Sequence, residues 1–183
     1  AVTNAGRLIQ DGGASAIKLE GGAIMADRVL TITQAGIPVM GHIGLTPQSV
    51  HQFGGYKVQG KNYLDSRKIK QDASDLQSAG IFALVLEGIP SELGEEITSE
   101  LKIPTIGIGA GAKGDGQILV LHDLLGLNQD FVPKFVKQYA QLADNLKIAV
   151  TEFIEEVKTE SFPSQEHIYH SKQGRLKQVN DGN

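Results

Sequence analysis

The sequence predicts an α/β fold with parallel strands, and three observations carry that prediction. Short runs rich in β-branched or Leu residues alternate with segments of helical spacing, a pattern that implies parallel strands joined by right-handed crossovers. A faint internal repeat agrees: Gly13-Ala14-Ser15-Ala16-Ile17-Lys18-Leu19-Glu20-Gly21 aligns with Gly80-Ile81-Phe82-Ala83-Leu84-Val85-Leu86-Glu87-Gly88. Glycine is the third, at 22 of 183 residues against a usual ~7%. It has no collagen period, so the excess sits at turns or beside a ligand. Repeated β/α units suit a doubly wound sheet or a (β/α)8 barrel. A barrel takes ~250 residues, so this length supplies about five of its eight units. On length alone, a five-stranded flavodoxin-like sheet fits better.

Taken in order, Ala1–Gln10 sets Ala1, Val2, Ala5, Leu8 and Ile9 at helical spacing, and Asp11-Gly12-Gly13 stops it. A strand at Ala16–Glu20 is closed by Gly21-Gly22. A helix from Ala26 to Gln34 stops at Ala35-Gly36 and leads to a strand at Pro38–Ile43. The longest excursion is Gly44–Lys61, with turn signals at Thr46-Pro47 and Gly54-Gly55. Asp65 and Ser66 are candidate caps of a helix reaching Ser78, ended by Ala79-Gly80. Then come a strand at Phe82–Leu86, a helix at Ser91–Leu101, a strand at Thr105–Ile108, a Gly-rich loop and a strand at Ile118–Leu121. Pro133–Val157 reads as one or two amphipathic helices with a stripe through Phe135, Val136, Tyr139, Leu142, Leu146, Val150, Phe153 and Ile154. From Pro163 the composition turns polar, and Ser171–Asn183 reads as a loose tail.

Charge and composition narrow the classes. Lys plus Arg number 17 against 21 Asp plus Glu, a net charge of -4. That lacks the footprint of a nucleic-acid binder and argues against docking on an anionic membrane. Apolar residues make up 40%, enough for a packed core. No apolar run approaches the ~18 residues of a spanning helix, and no basic-then-apolar start resembles a signal peptide. With zero Cys there is no disulfide framework, zinc-thiolate site or iron–sulfur cluster, which fits a reducing cytosol. The sequence starts at Ala1 inside a helical spacing, so a natural beginning further upstream is expected.

The candidate chemistry lies at strand ends. Side chains two apart on a strand share a face, so Lys18 and Glu20 point away from Ile17 and Leu19. A buried salt bridge is the plain alternative; a ligand site is the other, because α/β folds bind at the carboxyl ends of strands. Glu87 repeats the geometry after Leu84-Val85-Leu86, where apolar neighbours suit a general base; a loop acid is its plain reading. His42 closes its strand as Gly41-His42-Ile43-Gly44, with glycines that admit a ligand. His122-Asp123 reads as a turn pair, and His167 and His170 lie beyond the last helix. Gly109-Ala110-Gly111-Ala112-Lys113-Gly114 matches G-x-G-x-x-G, but leads into a strand rather than opening a helix, so the dinucleotide reading fails. No Ser or Thr follows Lys113 at Walker-A spacing either.

At these residues the sequence resembles the ketopantoate hydroxymethyltransferase family. The resemblance is carried by Ile17-Lys18-Leu19-Glu20-Gly21-Gly22, Gly41-His42-Ile43-Gly44-Leu45-Thr46-Pro47-Gln48-Ser49 and Phe53-Gly54-Gly55-Tyr56-Lys57-Val58-Gln59-Gly60. It continues through Leu84-Val85-Leu86-Glu87, Ile106-Gly107-Ile108-Gly109-Ala110-Gly111, Asp115-Gly116-Gln117-Ile118-Leu119-Val120, Pro133-Lys134-Phe135 and Phe162-Pro163. It implies a (β/α)8 TIM barrel of the phosphoenolpyruvate/pyruvate type, of which this chain holds strands 4 to 8. Residues 1–163 would then be the C-terminal part of one barrel domain, and 164–183 a polar tail.

The resemblance also implies an activity. The family transfers a hydroxymethyl group from 5,10-methylenetetrahydrofolate to 3-methyl-2-oxobutanoate, giving 2-dehydropantoate for pantothenate synthesis through an enolate. It implies Glu87 as proton acceptor, Lys18 and His42 as residues that hold the keto acid, and Glu20 as a ligand of Mg²⁺ or another divalent ion. Two metal-binding Asp and a substrate-binding Ser of the family have no counterpart here, and one carboxylate is too few to hold Mg²⁺ tightly. The partners implied are the keto acid and the folate, with no nucleic acid or membrane, in a cytoplasmic homo-oligomer. The loop Gly44–Lys61 is the candidate cover. Two alternatives stand beside this reading: an inactive fragment or degenerate paralogue acting as an assembly partner, and a Schiff-base aldolase using Lys18.

Overall fold

A computed structural model describes residues 1–49 and 57–170. The chain begins with α1 (Val2–Gln10), β1 (Ile17–Glu20), α2 (Ala26–Gln34), β2 (Val39–Gly44) and α3 (Tyr63–Ser78). It continues with β3 (Ala83–Glu87), α4 (Ser91–Glu100), β4 (Thr105–Ile108), β5 (Gly116–Gln117), α5 (Leu121–Leu124) and α6 (Leu142–Lys158). Two compact units result: Ala1–Val120 with Pro133–Lys137, and Leu121–Val132 with the residues from Gln138 on.

In the first unit the strands form one parallel sheet in the order β1-β2-β3-β4-β5. A doubly wound sheet reverses its order at a switch point; this one never reverses, which removes the flavodoxin-like alternative. The pleat separates two faces. Leu19, Gly41, Leu84 and Thr105 stand in successive registers, as do Glu20, His42 and Val85 on the opposite side. Val39, Ile43, Leu84 and Leu86 join Val29, Ile32, Ile69, Leu76, Leu93 and Ile97 of the helices in the buried core. Each such side chain contributes ~1.5–3 kcal/mol on burial, so this face holds the helices to the sheet.

Three expectations are corrected. The strand expected at Ile118–Leu121 is instead the short β5, with Gly107 opposite Gln117. Beyond it the Ile118 N–H still donates to the Gly107 carbonyl at 3.0 Å, but β4 leaves extended geometry at Gly109, φ +66°. Nothing remains there for a longer strand to pair with; Ile118 and Leu121 are exposed, and Leu121 opens α5. The cap of α3 is Asn62 rather than Asp65 or Ser66. Its side-chain oxygen accepts the Asp65 N–H at 2.9 Å, while its amide donates to the Asp65 carboxylate at 2.7 Å. The expected helical stretch Pro133–Val157 is helical only from Leu142. Before that, the backbone makes other bonds, Val136 N–H to the Pro133 carbonyl at 2.9 Å in the first unit and Tyr139 N–H to the Leu124 carbonyl at 2.8 Å in the second.

In that second unit α6 buries none of its residues; Leu146, Val150 and Phe153 are exposed. Among the described residues no helix is long and apolar enough to cross a membrane. The turn signal at Gly54-Gly55 and the tail Ser171–Asn183 lie outside the described residues.

The Gly-rich loop between β4 and β5 is tied down at its far end. The Asp115 carboxylate accepts from the Thr105 N–H at 2.8 Å and the Thr105 hydroxyl at 3.1 Å, and Thr105 is fully buried. These hydrogen bonds hold the Asp115 carboxyl below its ordinary value of 3.8. A depressed folded value means that folding favours the ionised form. The contribution is therefore present above the ordinary value and lost as pH falls through the folded one. Thermal unfolding followed against pH should find Asp115→Asn less stable than wild type near neutrality. The gap between the two should narrow in acid.

Candidate active site

The polar face of the sheet gathers four side chains from three adjacent strands. Register sets their rows. Glu20 of β1 pairs with His42 of β2, and Gly44 of β2 pairs with Glu87 of β3. His42 therefore stands between two carboxylates. Its Nδ1 lies 3.6 Å from Glu20 Oε1, and its Nε2 lies 3.0 Å from Glu87 Oε2. Lys18, one pleat earlier on β1, brings Nζ to 3.4 Å from His42 Nδ1 and 3.8 Å from Glu20 Oε1.

Burial grades across the group. The His42 side chain is 2% exposed, Glu20 and Glu87 are 13% and 12%, and Lys18 is 49% exposed. A charged head reached by solvent beside two carboxylates nearly out of it gives the strand ends a cationic point that an anionic group can approach. The contact of Nε2 with Glu87 is close but off the N–H axis, so His42 Nε2 is buried without a directed hydrogen bond. A buried donor left so costs ~1–3 kcal/mol. Orphaned polar atoms of this kind occur at catalytic sites and where water or a ligand completes the set.

The backbone fixes the carboxylates. Glu20 Oε2 accepts the Gln48 N–H at 3.2 Å. The chain just after β1 is fastened by Asp72 of α3, whose Oδ1 accepts the Ala23 N–H at 2.7 Å. A Cβ at Gly22 would collide with that same carboxylate. On the other side the Glu87 carbonyl accepts the Leu45 N–H at 2.8 Å, tying the loop after β2 to the end of β3.

Lys18, Glu20, His42 and Glu87, each singled out in the sequence, are thus one cluster. Gln48 was not singled out, and no residue-type signal marks it, because it acts through its backbone amide. Part of the candidate cover Gly44–Lys61 lies outside the described residues. His122 and Asp123 belong to the second unit, where the His122 carbonyl caps Leu127 and Asp123 accepts from Asn128 at 2.6 Å. His167 meets Ser164 at 2.8 Å and the ring of Phe162. The Gly109–Gly114 loop leads to β5, not to a helix, in line with the rejected dinucleotide motif.

Such an arrangement, a cation beside a carboxylate and a second carboxylate across a buried imidazole, can hold an oxyanion and move a proton. The ketopantoate hydroxymethyltransferase family model matches residues 1–165. The chain belongs to that family. It is 56% identical over 169 residues to the 3-methyl-2-oxobutanoate hydroxymethyltransferase of Syntrophus aciditrophicus, covering 92% of this chain and 62% of that relative. The Clostridium beijerinckii protein of the same name is 52% identical over 179 residues, covering 98% of this chain and 65% of the relative. That of Moorella thermoacetica is 56% identical over 169 residues, with 92% and 63% covered. The chain thus spans less than two thirds of the length of these curated relatives.

A divalent ion does not fit the described residues as they stand. None of their His, Asp and Glu groups, taken three or more together, is arranged to hold a metal. Glu20 offers one carboxylate, with Oε1 already facing two nitrogens and Oε2 taking a backbone amide. Mg²⁺ takes octahedral oxygen ligands, which that leaves unsupplied.

Gly44 is where sequence and site meet most tightly. It sits at φ +91°, and a Cβ there would run into the Glu87 carbonyl oxygen and crowd Ile89. Gly44→Ala should cost about 2 kcal/mol or more and displace Glu87, read by urea unfolding of the intact protein. A variant as stable as wild type would mean that the two strand ends separate freely.

Proposed function

We propose that this chain carries the keto-acid-binding and proton-abstracting part of a 3-methyl-2-oxobutanoate hydroxymethyltransferase. The observation that carries the reading is the convergence of Lys18, Glu20, His42 and Glu87 at the carboxyl ends of adjacent parallel strands in a member of this family. The Lys18 ammonium, half-exposed, pairs with the carboxylate of 3-methyl-2-oxobutanoate. His42 presents its Nε2 side to the keto acid, and Glu87 takes the proton from the third carbon. The resulting enolate takes up the one-carbon unit of 5,10-methylenetetrahydrofolate: a carbon–carbon bond forms to the methylene carbon, its bonds to the folate nitrogens break, water supplies the hydroxyl oxygen, and 2-dehydropantoate leaves with tetrahydrofolate. The order of events is the ordinary one for carbon–carbon bond formation next to a ketone: the base acts first, and developing negative charge is met by nearby donors.

Mg²⁺ or another divalent ion, with Glu20 among its ligands, belongs to this reading only if oxygen donors from outside the described residues complete the set. No step is routed through it. A Schiff base on Lys18 is the weaker reading, since its Nζ already faces His42 and Glu20.

The fold is proposed to be strands 4 to 8 of a (β/α)8 barrel, with residues 1–163 in the barrel domain and 164–183 as a tail. The unreversed strand order and the helical core on one face support it, as does the outer edge of β1, which pairs only with β2 among the described residues. A cytoplasmic homo-oligomer is proposed; the exposed apolar residues of α6 support the assembly alone.

Proton removal is separable from folate chemistry. The intact protein is incubated with 3-methyl-2-oxobutanoate in D₂O, and loss of the proton on the third carbon is followed by NMR. Wild type should exchange, and Glu87→Gln should slow exchange by ~10²–10⁴-fold with the keto acid still bound. Exchange by the variant at the wild-type rate would remove Glu87 as the base. No exchange by wild type would favour the non-catalytic assembly partner.

A further inference from the structure

The face of the sheet that carries the site is divided. Lys18 and Glu20 of β1 and His42 of β2 make one half of it polar. On the same face, Val85 of β3 stands in register between His42 and Ile106, and Ile108 of β4 stands in register with Glu87. That half is apolar. Glu87 lies on the border, with Gly44 on its β2 side and Ile108 on its β4 side. We propose that Val85 and Ile108 form an apolar wall that receives the branched alkyl end of the keto acid and limits its length.

Two observations argue for it. The first is where these side chains are buried. Leu84 and Leu86 of β3 belong to the core under the helices, and residues at odd positions of that strand face away from it. Val85 and Ile108 are buried as well, yet among the described residues neither joins that core. The second is their nearness to Glu87. Ile108 is its partner across one strand spacing of ~4.8 Å, and Val85 precedes it by two residues, ~6.6 Å along the strand.

The rest follows from the substrate, and there the inference rests on Glu87 as the base. A carbon that gives Glu87 its proton lies against that carboxylate, and the third carbon of 3-methyl-2-oxobutanoate carries two methyl groups. With the substrate carboxylate held toward Lys18 on β1, the methyls extend toward β4. Ile108 and Val85 meet them there, whereas Gly44 on the other side has no side chain to offer. A longer alkyl chain would need the space that Ile108 fills.

The test is the binding of three 2-oxo acids to the intact protein by titration calorimetry. They are pyruvate, 3-methyl-2-oxobutanoate and 3-methyl-2-oxopentanoate, the last longer by one methylene. Wild type should prefer 3-methyl-2-oxobutanoate to the longer acid by ~10-fold or more, the discrimination an apolar pocket gives one methylene. Ile108→Val and Val85→Ala should each move that preference toward unity. Pyruvate, which has no branch, should bind them as it binds wild type. Leu86→Val, trimmed on the opposite face of β3, should keep the wild-type preference, which separates a wall from a loosened sheet. A preference that both wall variants retain, or that Leu86→Val loses to the same extent, overturns the wall. Deuterium exchange at the third carbon reads the base separately. If the preference follows the wall while wild type exchanges no proton, the base assignment fails and the wall stands. Binding of none of the three acids by wild type overturns both.

Discussion

A histidine almost completely removed from solvent, set between two carboxylates, is an arrangement that a chain keeps only if the backbone leaves no other place for it. Here the constraint is the pairing of β2 with both neighbours. One register puts Glu20 beside His42, the other puts Glu87 beside Gly44, and parallel strands send paired side chains to the same face. A slip of one residue in either pairing would turn every side chain of that strand over, exchanging core for site. Ile43 and Leu86 would then point toward the carboxylates, and the apolar face would lose several of its ~1.5–3 kcal/mol contributions.

The same alternation divides the labour between the faces. Hydrophobic burial under the helices fixes the sheet, so the opposite face is free to hold groups that contribute little to stability. The strand ends are further fastened by hydrogen bonds. Asp72 supplies one after β1, and the Leu45 amide on the Glu87 carbonyl supplies another after β2 and β3. Asp115 on Thr105 does the equivalent for the glycine loop. None of these fasteners touches the reacting atoms, yet each sets where a site residue or site loop can stand.

Much of this was legible in the sequence. Period-two alternation placed Lys18 and Glu20 on one face, and the repeated Leu-Glu-Gly marked two strand ends that the sheet brings to either side of His42. The first four strands agree with the structure to within a residue at each end, because short apolar or alternating runs bounded by Gly or Pro leave little choice. Ile118–Leu121 misled for the converse reason: a good β sequence makes no strand without a partner, and β4 ends too soon. Pro133–Gln141 has helical spacing, but its backbone bonds go elsewhere. The Gln48 amide and the Asn62 cap depend on geometry that residue type alone does not encode. Sequence order also left open whether the sheet reverses, which the strand pairing decides.

The account stands most directly on where the keto acid lies. A crystal structure of the intact protein soaked with 3-methyl-2-oxobutanoate tests it in one measurement. The account predicts the ligand carboxylate against Lys18, an oxygen within reach of His42 Nε2, and the third carbon facing a Glu87 carboxylate oxygen. A keto acid bound elsewhere, or bound here with its third carbon turned away from Glu87, would contradict it.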